Sequence, residues 1–290
     1  MQVIESNKCH DGYWKRFKHQ STACQSEMTF SVFFPKGYAA DVSTNQFSLH
    51  DSNLAYPTLF WLSGLTCTDQ NFVQKAHVEK AANQWNMLIV APDTSPRDAG
   101  LAGEEDDYDF GTGAGFYLDA TKQPWSEHYN MHRYVAEELY QLITQTLPVA
   151  TEQMGIFGHS MGGHGALTIA LKHPDKFKSV SAFAPICQPT QCDWGKKAFA
   201  GYLDDIADAT MYDACALIEQ GKRVSALLVD QGTEDNFYPD QLRTESLVEH
   251  CDKFNIPATI RMQPGYDHSY FFIATFIEEH IAFHAQQLGV

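Results

Sequence analysis

Apolar positions along this chain fall into short continuous runs separated by longer stretches of helical periodicity. Thr58–Leu62 (Thr-Leu-Phe-Trp-Leu) is one such run, the pattern of a parallel strand buried on both faces. Met87–Ala91 is a second, ended by Pro92-Asp93. Met28–Phe34 reads as an early strand, and Met154–Phe157, Val180–Phe183, Ala226–Val229 and Thr259–Met262 as four later ones. Helices are predicted over Phe72–Asn86, Met131–Thr146, Gly162–Lys172, Asp240–Phe254 and Tyr270–Gln287, two of them stopping before Pro148 and Pro174. Strands alternating with helices at this spacing imply an α/β fold, a mostly parallel central sheet with helices on both faces. No boundary or internal repeat interrupts it, so residues 1–290 are expected to form a single domain.

Residues 94–128 break the alternation. They hold five glycines, the acidic run Glu104–Asp107, and Phe110, Phe116, Tyr117 and Trp125. Linkers seldom carry so many aromatics, so this is read as an ordered excursion above the sheet that serves a site.

The chemistry concentrates at Gly158-His159-Ser160-Met161-Gly162, a Gly-x-Ser-x-Gly sequence between a predicted strand and a predicted helix. That context is the nucleophile elbow of the α/β-hydrolase fold: a tight turn lifts the serine hydroxyl above the sheet and aims a helix N-terminus at it. A serine needs a base, and the chain order in this fold is Ser, acid, His. His268 follows the last predicted strand and precedes the last helix, where the base belongs. His159, His164 and His250 are read as packing or surface residues. Asp235 lies just beyond strand Ala226–Val229 and fits the acid. Glu234 is an alternative, and Asp230, nearer the strand, is expected to bind backbone instead. The oxyanion needs two backbone N–H groups. Met161 supplies one, and the loop after Thr58–Leu62 the other, from Leu65 or from Gly64.

Composition narrows the rest. With 20 basic and 36 acidic residues the formal charge is −16, which opposes nucleic acid and requires local cations for any anionic ligand. No run of eighteen apolar residues suggests a membrane span, and the N-terminus lacks the apolar segment of a signal peptide. The seven cysteines are therefore expected as reduced thiols in the cytoplasm. Neither cysteines nor histidines show metal-ligand spacing, so no metal or other cofactor is expected.

Several stretches together resemble the S-formylglutathione hydrolase (esterase D) family. They are Leu-Ser-Gly-Leu-Thr-Cys-Thr (62–68), Gly-Ala-Gly-Phe-Tyr-Leu-Asp-Ala-Thr (113–121), Tyr-Asn-Met (129–131), Phe-Gly-His-Ser-Met-Gly-Gly-His-Gly-Ala-Leu (157–167), Trp-Gly-Lys-Lys-Ala-Phe-x-Gly-Tyr-Leu (194–203), Asp-Gln-Gly-x-x-Asp-x-Phe (230–237) and Pro-Gly-Tyr-Asp-His-Ser-Tyr (264–270). The resemblance implies a Ser160, Asp235 and His268 triad with Leu65 and Met161 as oxyanion donors. It implies hydrolysis of S-formylglutathione to glutathione and formate, the last step of glutathione-dependent formaldehyde removal, with side activity on small esters. It also implies a cytoplasmic homodimer. Cys67, two residues past Leu65, is expected beside the site without being a nucleophile, and Trp194 is expected to restrict the acyl side of the pocket. His132, Arg133, Tyr238 and Asp204-Asp205 depart from the family's usual residues. The rival readings are a general short-chain carboxylesterase or acyltransferase of the same fold, and a non-catalytic binding protein.

Overall fold

The computed structural model describes residues 1–36, 38 and 55–290. Nine strands pair into one sheet: β1 (Gln2–Cys9), β2 (Gly12–Ser21), β3 (Ser26–Phe34), β4 (Tyr56–Leu62), β5 (Leu88–Pro92), β6 (Val149–His159), β7 (Ser179–Phe183), β8 (Leu227–Gly232) and β9 (Ala258–Gln263). Their order is β1-β2-β3-β5-β4-β6-β7-β8-β9. The first three strands meander antiparallel onto β5, and the six from β5 to β9 run parallel. Every residue of β4, β5, β7 and β8 is buried, which is why β4 and β5 read as nearly unbroken apolar runs; the buried Ser179, Ser181 and Asp230 of β7 and β8 are hydrogen-bonded instead. Helices Asp69–Lys75, Glu79–Gln84 and Tyr270–Leu288 pack together on one side. Helices Met161–Lys172, Tyr140–Thr146 and Ala214–Glu219 pack on the other. This is the α/β-hydrolase arrangement expected above.

From β4 the chain passes outward to β5, then returns across β4 to β6. Strand order therefore reverses between β4 and β6, and a crevice opens at their carboxyl ends, the general location of ligands in parallel sheets. β4 ends at Leu62 and β6 at His159, so both signature loops meet there.

The structure corrects several boundaries. Two strands precede the expected first one; β1 escaped notice because, as an edge strand, most of its residues face solvent and its sequence is polar. The single helix predicted over Phe72–Asn86 is two. The first starts at Asp69, capped by Thr68, and the break follows at Ala76–Val78, where His77 takes φ 56°. Met131–Thr146 is helical but includes a π-helical stretch, Tyr134–Leu139. The helix expected from Asp240 is a π-helical turn, Tyr238–Leu242, followed by Thr244–Phe254, with Arg243 at φ 54° between them. Helices Asp193–Tyr202 and Ala214–Glu219 were not anticipated. The excursion at 94–128 is ordered by short bridges (Asp107 with Phe110, Gly111 with Ala114) and by buried Phe116, Tyr117 and Leu118. Tyr117 Oη donates to the Ser63 carbonyl at 3.0 Å, tying the excursion to the loop after β4.

A buried polar chain fastens the last helix to the sheet. Ser179 Oγ lies 2.6 Å from His284 Nδ1, and His284 Nε2 lies 2.9 Å from Ser181 Oγ. Ser181 Oγ lies 2.8 Å from His280 Nδ1, and His280 Nε2 lies 3.1 Å from Asp230 Oδ2. Asp230 also accepts from Arg261 at 2.5 and 2.6 Å and from Gln263 at 3.0 Å. Asp230 thus binds side chains, not the backbone expected from sequence. Because an ionised carboxylate only accepts, one set of neutral tautomers satisfies the whole chain: each serine hydroxyl donates to an Nδ1, and each Nε2–H donates onward toward Asp230. Burial raises the Asp230 pKa, but hydrogen bonds from His280 and Arg261 outweigh it and hold the carboxyl down at about 2. Burial pushes the His280 imidazole down and, with His280 nearby, holds His284 at about 3.

Two more histidines are buried and held neutral. Burial lowers His164 to about 4, and burial together with neighbouring His268 keeps His159 well below the ordinary range. The sign of the stability effect follows. Each of these groups has a folded pKa below its unfolded value of about 6.5, so the unfolded chain binds more protons as pH falls below that value. Stability is fully present above about pH 6.5 and is lost below it. With His159, His164 and His284 acting together, and His280 adding in the same direction, unfolding between pH 6 and 5 should take up about two to three protons or more. Urea midpoints across pH 7.5 to 5 measure this, and a slope of one proton or fewer would refute it.

Candidate active site

Ser160 stands between β6 and helix Met161–Lys172 with φ 58° and ψ −120°, a conformation sparsely populated by non-glycine residues. Three hydrogen bonds hold it. Its N–H donates to Phe183 O at 3.0 Å, and its carbonyl accepts from His164 at 3.0 Å and Ile186 at 3.2 Å. The crossing leaves no room for a side chain at Gly162, where a Cβ would lie 2.0 Å from Leu62 O. The β4 loop passes just as closely: a Cβ on Gly64 would lie 3.1 Å from Ser160 Cβ.

His268, in the loop after β9, brings Nδ1 within 2.5 Å of Asp235 Oδ2. Asp235 is buried and further anchored by the Phe237 N–H at 2.9 Å and by Gln231 Nε2 at 3.2 Å. Gln231 is itself held by Thr244 Oγ1, 3.0 Å from its Oε1. With its lone pairs so occupied, Asp235 fixes the tautomer that carries hydrogen on Nδ1 and leaves Nε2 free to accept. Glu234, the alternative acid, is exposed. Two rings clasp His268: His159, with centroids 4.3 Å apart, and Phe237, edge-on at 5.1 Å. His159 is therefore more than a neighbour of the serine. As a buried imidazole kept neutral, it packs the base without competing for its proton. His164 is buried and donates Nε2–H to Phe116 O at 3.0 Å, and His250 bonds Ser246 O within its own helix, so both are packing residues as expected.

Two backbone N–H groups of the site are candidates for holding a developing oxyanion. The Met161 N–H heads its helix and has no intrahelical carbonyl to reach. In the β4 loop, Thr66 N–H is used by Gly113 O at 2.9 Å and Cys67 N–H by Gly64 O at 3.3 Å. Among the described residues no backbone acceptor takes the Leu65 N–H.

These groups line a cleft of about 380 Å³ that gathers Gly64, Leu65, Cys67, Ser160, Trp194 and His268. One wall is aromatic: Trp194 Nε1 donates to Tyr108 Oη at 3.1 Å and its ring lies 4.7 Å from Phe237. Trp194 is thus at the site, brought there by a helix that sequence periodicity did not reveal. Tyr108, Asn71, Lys75 and Tyr270 also line the cleft, and no motif reading singled them out for it. His132, Arg133, Asp204, Asp205 and Tyr238, the departures from the family pattern, do not line it. Cys67 is largely enclosed, and burial pushes its thiol pKa up, which disfavours the nucleophilic thiolate.

Known proteins resemble this chain along almost its whole length. The Esterase family model matches residues 21–283. An S-formylglutathione hydrolase of Arabidopsis thaliana is 51% identical over 99% of this chain and 98% of its own length. One of Mus musculus is 47% identical over 100% of this chain and 99% of its own. The solved S-formylglutathione hydrolase of Agrobacterium tumefaciens superposes with a TM-score of 0.92 at 44% identity, each chain covered in full.

The position of Cys67 generates a test. An adduct on its sulfur would occupy the cleft that it shares with Ser160. N-ethylmaleimide should inactivate the wild type, while Cys67→Ser should be active and resistant. An inactive Cys67→Ser, or one still inhibited, would remove Cys67 from this role.

Proposed function

Because this chain belongs to the S-formylglutathione hydrolase family of esterases, we propose that it hydrolyses S-formylglutathione to glutathione and formate, with side activity on short-chain esters. The observation that carries the reading is the 2.5 Å Asp235–His268 pair opening on the same cleft as Ser160 on its left-handed turn. In the proposed cycle His268 Nε2 takes the hydroxyl proton as Ser160 Oγ attacks the formyl carbon. The imidazolium that results is stabilised by Asp235, which stays ionised. The N–H groups of Leu65 and Met161 receive the oxyanion, where fixed dipoles act without reorganising. As the C–S bond breaks, His268 protonates the departing sulfur, leaving a formyl ester on Ser160. Water repeats the sequence, with His268 as base, and releases formate. No step asks for a metal or other cofactor.

The reading extends to the whole molecule. Residues 1–290 act as one catalytic domain, and the enzyme works as a cytoplasmic homodimer on a small-molecule thioester, without nucleic-acid or membrane partners. Supporting it, all seven cysteines are free, the net charge is −16, and no helix among the described residues is long and apolar enough to cross a membrane.

Two substitutions test the assignment. Ser160→Ala should keep the far-UV circular dichroism spectrum and lose about three or more orders of magnitude in kcat for S-formylglutathione. Near wild-type turnover would exclude Ser160 as nucleophile. Trp194→Ala should widen the acyl side. Forcing extra methylenes against a rigid wall costs about 1–3 kcal/mol, so relief should shift kcat/KM for p-nitrophenyl butyrate and hexanoate, relative to acetate, by roughly 5- to 150-fold. An unchanged chain-length profile would assign Trp194 to the scaffold.

A further inference from the structure

A second groove, of about 780 Å³, adjoins the active-site cleft and shares Lys75, Ser269 and Tyr270 with it. We propose that this groove is the subsite for the peptide part of the thiol leaving group, and that Lys75 determines specificity there by pairing with one of its carboxylates. The proposal rests on the reading of S-formylglutathione as substrate.

Three observations point the same way. The first is the shape of the site. Trp194 contacts both Tyr108 and Phe237, and the three line one wall of the cleft. A formyl group needs no room beyond its carbonyl, but the peptide attached to sulfur does. The adjoining groove, entered past Lys75 and Tyr270, offers that room.

The second is charge. The chain carries 36 acidic residues, yet among the described residues no Asp or Glu lines either cavity. Lys75 is the only lysine or arginine lining them among the described residues. It is solvent-facing, makes no ion pair among the described residues, and its Nζ stands 5.7 Å from the Tyr270 ring centroid, at the junction of the two spaces. In a field set by −16 net charge, an acid-free cavity with a lysine at its neck is where a dicarboxylate peptide is least opposed.

The third is the chemistry of the groove beyond the neck. Gln74, His77 and Thr275 bring polar side chains suited to a peptide and its second carboxylate. Phe271 is 86% exposed, an unusual position for a phenylalanine, and gives the groove an apolar edge for the methylenes of a glutamyl arm.

The test uses two probes. S-methylglutathione keeps the peptide but has no acyl group to lose, and p-nitrophenyl acetate has the acyl group but no peptide. In the wild type S-methylglutathione should compete with p-nitrophenyl acetate. Its Ki should rise about fivefold in Lys75→Met, the upper end for a solvent-facing ion pair, rise further in Lys75→Glu, and return close to wild type in Lys75→Arg. The ratio of kcat/KM for S-formylglutathione to that for p-nitrophenyl acetate should fall by a similar factor. Absence of competition in the wild type, or an unchanged Ki in Lys75→Met, would overturn the subsite. A wild type that turns over S-formylglutathione while Lys75→Met leaves Ki and the ratio unchanged would sink the subsite and leave the enzyme's reaction standing. Competition weakened by Lys75→Met in an enzyme that does not turn over S-formylglutathione would uphold the subsite and overturn the reaction. If Phe271→Ser converts a dimer to a monomer without changing Ki, the groove is a contact between copies and the proposal fails.

Discussion

The backbone of Ser160 is the constraint on which the rest of the site depends. A φ of 58° in a serine costs about 1–3 kcal/mol, and it persists only because the surroundings over-determine it. Its amide is bonded to β7, and its carbonyl is bonded to the following helix and to the segment after β7. Relaxing the residue would therefore break contacts on both sides. The same geometry forces Gly162 against the end of β4 and draws the Gly64–Leu65 turn to the serine. One strained residue thus brings together the Ser160 hydroxyl, a helix N-terminus and the Gly64–Leu65 turn. In the proposed cycle this matters because donors held rigidly before reaction need not reorganise during it.

Asp235 and His268, the acid and base of the proposed cycle, are aligned by a different device. Asp235 and His268 sit in loops after β8 and β9. Those strands are locked to each other and to the last helix by Asp230, Arg261, His280, Ser181 and His284. The loops then close on each other through Asp235, with Gln231 and Thr244 behind it. A buried polar chain of this kind is costly if any member lacks a partner and strongly orienting when all are satisfied. Its neutral histidines make the scaffold sensitive to acid, so the arrangement that positions the base also sets a lower pH limit for the fold.

Around this centre the cleft divides its tasks by chemistry. In the proposed reading, the aromatic wall of Trp194, Tyr108 and Phe237 would face an acyl group that has nothing to add beyond its carbonyl. The acid-free side, with Lys75 at its neck, leads to the larger groove. The thioester itself demands little of the machinery, because a thiolate is a good leaving group. Selectivity then has to come from the two ends of the substrate.

Much of this was legible in the chain itself, where the physics is local. Strands buried on both faces favour apolar residues, so β4 and β5 stand out as nearly continuous apolar runs. The glycines around Ser160 are required wherever two backbones cross so closely, and the chain order of serine, acid and histidine follows the order of the strands that carry them. What remained hidden depends on distant partners. The edge strand β1 is polar because solvent, not a core, covers most of it. The break at His77 is a backbone choice that helical periodicity does not encode. Asp230 and Asp235 lie five residues apart in similar sequence surroundings. Only the folded sheet gives the first to Arg261 and His280 and the second to His268. His159, Lys75 and Tyr108 became site residues for the same reason: loops far apart in the chain converge at the reversal of strand order beside Ser160, and a side chain's role there is set by what it meets, which spacing along the chain does not record.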